Sequence, residues 1–181
     1  MFEIQDNFLD QYIFDDLENL MMSEIIPWHY QDKSVYPAPS YVFIHLFYQW
    51  PKGVESNYFR NLESTLDLFD PMSIYRIKAN LLTSTPEIIP NVFHQDMMEQ
   101  STRVKKQWTT AILYMNTNNG YTEFKDGTKV ESVANRLVSF PVDTWHRGSS
   151  CTDQNIRVVI NFNYFPNELD PKFIEDDREE F

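Results

Sequence analysis

Apolar residues recur every three to four positions along the first part of the chain, and every second position along most of the rest. In residues 6–23, Phe8, Leu9, Tyr12, Ile13, Leu17, Leu20 and Met21 fall at helical spacing, with Asp6 or Asn7 placed to cap the N-terminus. Residues 54–69 repeat that period through Tyr58, Phe59, Leu62, Leu66 and Phe69, and Pro71 limits the helix they predict. Between the two, IIPWHY and SYVFIHLFYQW are short aromatic-rich runs that suit strands.

From about residue 73 the period changes to two. In SIYRIKANLLTS, Tyr75, Ile77, Ala79 and Leu81 share one face, and Arg76, Lys78 and Asn80 the other. QWTTAILYMN, NRLVSFP and IRVVINFNYF are further extended runs, and YTEFKDGTKVES carries Asp126-Gly127 between two more, a hairpin signal. Many short strands without intervening helices predict a sandwich, jelly roll or barrel rather than βαβ units. The expected organisation is one domain: a helical and mixed support over 1–72, a β core over 73–166, and an acidic tail, solvated or frayed, over 167–181. No internal repeat is present.

Composition narrows the partners. Hydrophobic residues make up 42% of 181, enough for a sizeable core, and no apolar run is long enough to span a membrane. The acidic start of the chain has no secretory-signal pattern, and the single cysteine, Cys151, makes no internal disulfide, so a reducing cytoplasm is expected. A net charge of -12 disfavours nucleic acid as the main partner, since phosphate backbones are bound through Lys and Arg. Monomer and homodimer both remain open.

Candidate chemistry begins at FHQDM, where His94 and Asp96 stand at i and i+2, on one face if the stretch is extended. Alone, a His-x-acidic pair means little in a chain with 27 Asp and Glu. His146 follows in DTWHRG, and Arg157 lies inside the apolar run IRVVINF. A cation there either reaches the strand edge to meet a surface carboxylate or faces inward to hold one. Two imidazoles and one carboxylate make the facial triad of non-haem Fe(II) oxygenases, which leaves coordination positions open. In oxygenases that consume 2-oxoglutarate, the distal carboxylate of the keto acid needs a fixed cation, and an inward Arg supplies one.

With those motifs in order, residues 74–166 resemble the catalytic core of the Fe(II)/2-oxoglutarate-dependent dioxygenases, nearest the prolyl 4-hydroxylase-like branch and small stand-alone phage-type oxygenases. The resemblance implies a double-stranded β-helix (jelly-roll) core with the N-terminal helices packed on it. It implies His94, Asp96 and His146 as catalytic iron ligands and Arg157 as the anchor of 2-oxoglutarate, with Asn161 pointing the same way. Tyr114, in ILYMNTNNGYTEF, falls where family members often hydrogen-bond the keto acid. Asn119 replaces the first Gly of the family's turn, and Tyr121 replaces its acidic residue. The cofactors implied are Fe(II), 2-oxoglutarate and O2, with ascorbate as a reductant. The activity implied is hydroxylation of a peptide side chain or small metabolite, with release of succinate and CO2. A cupin-type metal enzyme without 2-oxoglutarate, and a non-catalytic jelly roll, are the alternatives. Phage encoding would place it in the host cytoplasm.

Other residues receive plainer readings. Lys78 and Asn80 are expected on a solvated face, with Asn80 also a co-substrate candidate should that face line a pocket. His29 and His45 sit among aromatics and read as packed structural residues, and Cys151 as inert loop. Arg103, Val104, Lys105 and Lys106 form the one basic cluster, a solvated loop or an entrance lid.

Overall fold

A computed structural model describes residues 2–32, 41–97, 100, 101, 105 and 107–167 of the protein. The strands are β1 (Glu3–Gln5), β2 (His29–Asp32), β3 (Tyr41–Gln49), β4 (Gly53–Val54), β5 (Pro71–Thr83), β6 (Thr109–Tyr114), β7 (Tyr121–Phe124), β8 (Lys129–Glu131), β9 (Arg136–Pro141), β10 (His146–Gly148) and β11 (Ile156–Pro166). The helices are α1 (Gln11–Met21) and α2 (Glu63–Phe69), the latter entered through a 3-10 turn at Phe59–Leu62. The major sheet runs β1-β9-β6-β11-β5-β3-β2 with β4 on β3, and the minor sheet runs β10-β7-β8. Every named pairing is antiparallel. From β5 onward the chain passes back and forth between the two sheets, the winding of a jelly roll or double-stranded β-helix.

Period-two alternation decides what each face of the major sheet meets. Ile77, Ala79 and Leu81 of β5, Ala111 and Leu113 of β6, and Val158, Ile160 and Phe162 of β11 turn outward, where Phe14, Leu17 and Met21 of α1 bury against them. Ile112, Tyr114, Val138, Phe140 and Val159 turn inward and meet Phe124 and Val130 of the minor sheet. The Asp126-Gly127 hairpin forms between β7 and β8, with Gly127 at φ +90° and the Thr128 amide bonded to the Asp126 carboxylate at 2.8 Å.

Four expectations need correction. The first helix starts at Gln11, not at residue 6, because Glu3–Gln5 pair with β9 and the chain turns through Asn7 at φ +52°. Asp6 therefore caps nothing; it forms an ion pair with Arg136, and the cap position falls to Asp10. The second helix begins only after Tyr58, because Gly53–Val54 is taken up as a strand against β3. In IIPWHY only His29 and Tyr30 are extended, at the start of β2; His29 is exposed rather than packed, whereas His45 is buried at 4% exposure. The fourth concerns Lys78 and Asn80. Their face is not solvated, since the minor sheet and segment 90–96 roof it over, and Asn80 is 9% exposed. The tail beyond Asn167, and Arg103, Val104 and Lys106 of the basic cluster, lie outside the described residues. Lys105 is buried, with its ammonium bonded to Gln95 at 2.9 Å. Among the described residues no helix is long and apolar enough to cross a membrane.

Candidate metal and anion site

Segment 90–96 lies antiparallel to β10 through bridges at Pro90–Ser149 and His94–His146. The His94 amide donates to the His146 carbonyl at 2.9 Å and the His146 amide returns the bond at 3.0 Å. That reciprocal pair sets the two imidazoles side by side, ring centres 4.6 Å apart. The Asp96 amide bonds to the Val142 carbonyl, which brings its carboxylate in line. One donor atom from each of His94, Asp96 and His146 lies within 4.8 Å of the others.

Backbone carbonyls fix the imidazoles. His94 Nδ1 sits 3.2 Å from the Val92 carbonyl and His146 Nδ1 3.0 Å from that of Thr144. A carbonyl only accepts, so each Nδ1 carries a proton, and Nε2 is the nitrogen that would face a metal. Asp96 is 5% exposed. Its Oδ2 accepts from Thr110 at 2.9 Å and Asn163 at 2.8 Å, and its Oδ1 from Arg76 at 3.3 Å. Burial alone would raise its pKa, but His146, Arg76, Asn163 and His94 together outweigh it and hold it at about 2. Asp96 is therefore a carboxylate at neutral pH.

β11 carries the other end of the site. Arg157, Val159, Asn161 and Asn163 alternate inward along it, opposite Leu82, Asn80, Lys78 and Arg76 of β5. Arg157 is 2% exposed. Its Nε donates to Ser132 at 2.7 Å, Nη2 lies 3.5 Å from Thr122 Oγ1, and the guanidinium is 5.6 Å from the Tyr114 ring centre. Among the described residues no carboxylate lies within ion-pair distance of it. Of the two sequence alternatives for Arg157, the strand-edge pair is thus not formed, and the side chain faces inward. Burial lowers its pKa from the usual arginine value while Tyr114 opposes that shift. A buried, unneutralised guanidinium is costly unless an anion completes it.

Two glycines make room around it. A Cβ at Gly120 would lie 2.6 Å from Arg157 Cδ and 2.8 Å from the Ser150 carbonyl, and one at Gly148 would lie 3.4 Å from Arg157 Nη1. Asn119, standing where the resemblance expects Gly, ties its turn to the 152–153 loop: its side chain bonds both ways with Thr152 and its amide donates to Asp153.

One cavity joins the two ends. His94, Asp96, His146, Arg157, Asn80 and Asn161 all line it. Tyr114 stands one residue back: fully buried, it donates its hydroxyl to Thr122 Oγ1 at 2.8 Å, and Thr122 lines the cavity in its place. Since Thr122 accepts from both Tyr114 and Arg157, its own proton is left to donate inward. The side-chain oxygens of Asn80 and Asn161 are buried with no partner among the described residues. Sequence reasoning missed Thr110, Thr122, Ser132 and Arg76 as parts of the site. Thr110, on the mostly apolar strand β6, is the one whose polar character among apolar neighbours could have marked it.

No protein-family model matches the chain, and no curated protein matches it in sequence. Solved structures do match. The non-heme alpha ketoglutarate dependent epimerase SnoN from nogalamycin biosynthesis superposes with a TM-score of 0.65 at 11% identity, over 91% of this chain and 78% of that one. It has also been solved with Fe3+, alpha ketoglutarate and nogalamycin RO. A Pseudomonas putida prolyl-4-hydroxylase gives 0.61 at 15% identity over 92% of each chain. The viral collagen prolyl hydroxylase of Paramecium Bursaria Chlorella virus-1 gives 0.55 at 15% identity, over 90% of this chain and 88% of that one. At these identities the likeness is one of fold. The chain has the jelly-roll fold of the 2-oxoglutarate–Fe(II) oxygenases, the fold that its motif resemblance implies.

Proposed function

We propose that the protein is an Fe(II)- and 2-oxoglutarate-dependent oxygenase that hydroxylates a C–H bond of its prime substrate. One observation carries the reading: a fully buried guanidinium without a carboxylate partner among the described residues shares a cavity with a His-Asp-His cluster. A keto acid dianion with a carboxylate at each end complements that pair. The donor set fits the metal, since two neutral imidazoles and one carboxylate suit a divalent iron and leave positions for co-substrate and oxygen. Solved structures of similar fold support the reading, among them an alpha ketoglutarate dependent epimerase solved with Fe3+ and alpha ketoglutarate, and a prolyl-4-hydroxylase.

In this reading His94, Asp96 and His146 hold Fe(II), and Arg157 with Thr122 binds the distal carboxylate. The bound iron and keto acid supply the oxidising chemistry, which ends in succinate and CO2. The chain's own residues orient and exclude. Val92 and Thr144 carbonyls keep both imidazoles in the ligating tautomer, and Thr110 and Asn163 fix the Asp96 carboxylate. Tyr114 and Ser132 hold Thr122 and Arg157 in place, and Asn80 and Asn161 line the same cavity. Phe140, packed on the His146 ring, keeps water from that side. The chain folds as one domain and acts in the cytoplasm, a compartment that suits its single, buried Cys151.

The test is succinate release from 2-oxoglutarate with Fe(II) and ascorbate. Wild type is expected to turn the keto acid over slowly without prime substrate. His146→Ala should abolish succinate, and Arg157→Met should raise the 2-oxoglutarate KM by about 100-fold. Succinate formation unaffected by either substitution would refute the assignment.

A further inference from the structure

Arg76 is a cation that the proposed chemistry leaves unused. It stands on the inward face of β5 opposite Asn163, lines the cavity, and is 25% exposed. Nη2 donates to Asp96 at 3.3 Å and to Asn163 at 3.0 Å, while Nε is buried with no partner among the described residues. Such an atom is costly to leave unpaired, and it points to an acceptor supplied from outside.

Charge gives the same answer. Arg76 and Asp96 form an ion pair in the protein as it stands. Once Asp96 ligates a dication, one negative charge faces three positive ones. The keto acid brings two negative charges, and Arg157 takes one of them. With Lys78 set aside, Arg76, Arg157, Asp96, the dication and the dianion sum to +1, in a chain whose net charge is -12. Desolvated charge of one sign needs a counter-charge nearby.

Position separates Arg76 from the keto acid's distal carboxylate, and the metal would take the proximal one. Arg76 pairs with Asn163, six residues along β11 from Arg157, a run of about 20 Å at 3.3 Å per residue. The Arg76 subsite lies at the metal end of the cavity, beside the place where a prime substrate must meet the iron.

We propose that Arg76 receives a carboxylate of the prime substrate, which is therefore an anionic small molecule. The inference rests on the oxygenase reading and deepens it. Its test uses wild-type protein loaded with Mn(II) and saturating 2-oxoglutarate at fixed ionic strength. Acetate and its neutral isostere acetamide are compared by paramagnetic relaxation of their methyl protons.

Acetate is expected to bind about tenfold more tightly than acetamide, the gain of a charge-assisted hydrogen bond. Arg76→Met should equalise the two probes, and Arg76→Lys should restore part of the difference. Equal binding in wild type would overturn the inference, as would a preference that survives in Arg76→Met or acetate binding only as 2-oxoglutarate leaves. Should Arg76→Met not fold, judged by its thermal melt, the wild-type comparison and Arg76→Lys still decide. Failure of 2-oxoglutarate to bind at all would instead bring down the oxygenase reading, and the inference with it.

Discussion

Gly120 illustrates how single atoms set the anion end of the site. Its backbone is of ordinary conformation, so the constraint is space: an added Cβ meets Arg157 Cδ at 2.6 Å and the Ser150 backbone carbonyl at 2.8 Å. Gly120→Ala is therefore expected to cost about 1–3 kcal/mol, by overpacking, and to weaken 2-oxoglutarate binding through a displaced guanidinium. A thermal melt and a co-substrate titration check both parts. His45 offers a separate residue-scale prediction. It is buried between the Pro27 carbonyl and the Ser56 hydroxyl, and burial lowers its pKa from 6.5. A lowered histidine pKa means the folded state resists protonation. Stability is then full above about pH 6.5 and declines as pH falls from there toward the folded-state value. Relative to wild type, His45→Gln should show a smaller loss of melting temperature between about pH 7.5 and 5.5. The meeting of His94, Asp96 and His146 was legible at this scale because they stand in the spacing of a known family motif. Thr122 was not, since nothing in the sequence says that Tyr114 would hand its hydroxyl contact to a threonine on the facing sheet.

At the scale of elements, the period of the apolar pattern told strand from helix correctly wherever one face is covered. β5 and β11 read as alternating because their outward residues meet α1 and their inward residues meet the cavity. The pattern failed where pairing with a distant strand outweighs local preference. The sequence predicts the helix from residue 6, yet Glu3–Gln5 pair with β9 and the helix starts only at Gln11. Asn135 then secures Leu9, accepting from its amide at 2.9 Å and donating to its carbonyl at 2.8 Å. Asn135 is 3% exposed and sits at φ +60°. Asn135→Ala should cost about 2–4 kcal/mol, from two buried hydrogen bonds and a left-handed alanine. Urea unfolding reads the total, and faster hydrogen exchange at Phe8 and Leu9 would locate it. Asn135→Gly, which tolerates the backbone angle, should lose less. The solvated-face expectation for Lys78 and Asn80 failed for a related reason: alternation separates two faces but does not say which is roofed.

Across the whole molecule, a strongly acidic chain encloses a cavity whose described cations outnumber its carboxylates. Arg76, Lys78 and Arg157 face it, and of the described acidic residues only Asp96 does. The fold achieves this by alternation alone, since each of those cations sits at an inward position on β5 or β11. An all-β sandwich, jelly roll or barrel was legible from many short strands without helices between them, and the motif resemblance singled out the jelly roll; the pairing of segment 90–96 with β10, which closes the His-Asp-His end, was not legible, because both partners are too short to leave a periodic signal. The central claim is that these two ends of one cavity hold a metal and a keto acid together. Calorimetric titration of 2-oxoglutarate into Mn(II)-loaded protein tests it most directly, with metal-free protein and Arg157→Met alongside. The account predicts one site per chain, with affinity reduced by about 100-fold in Arg157→Met and sharply reduced without metal. No binding to the loaded wild type, or binding indifferent to both metal and Arg157, would contradict it.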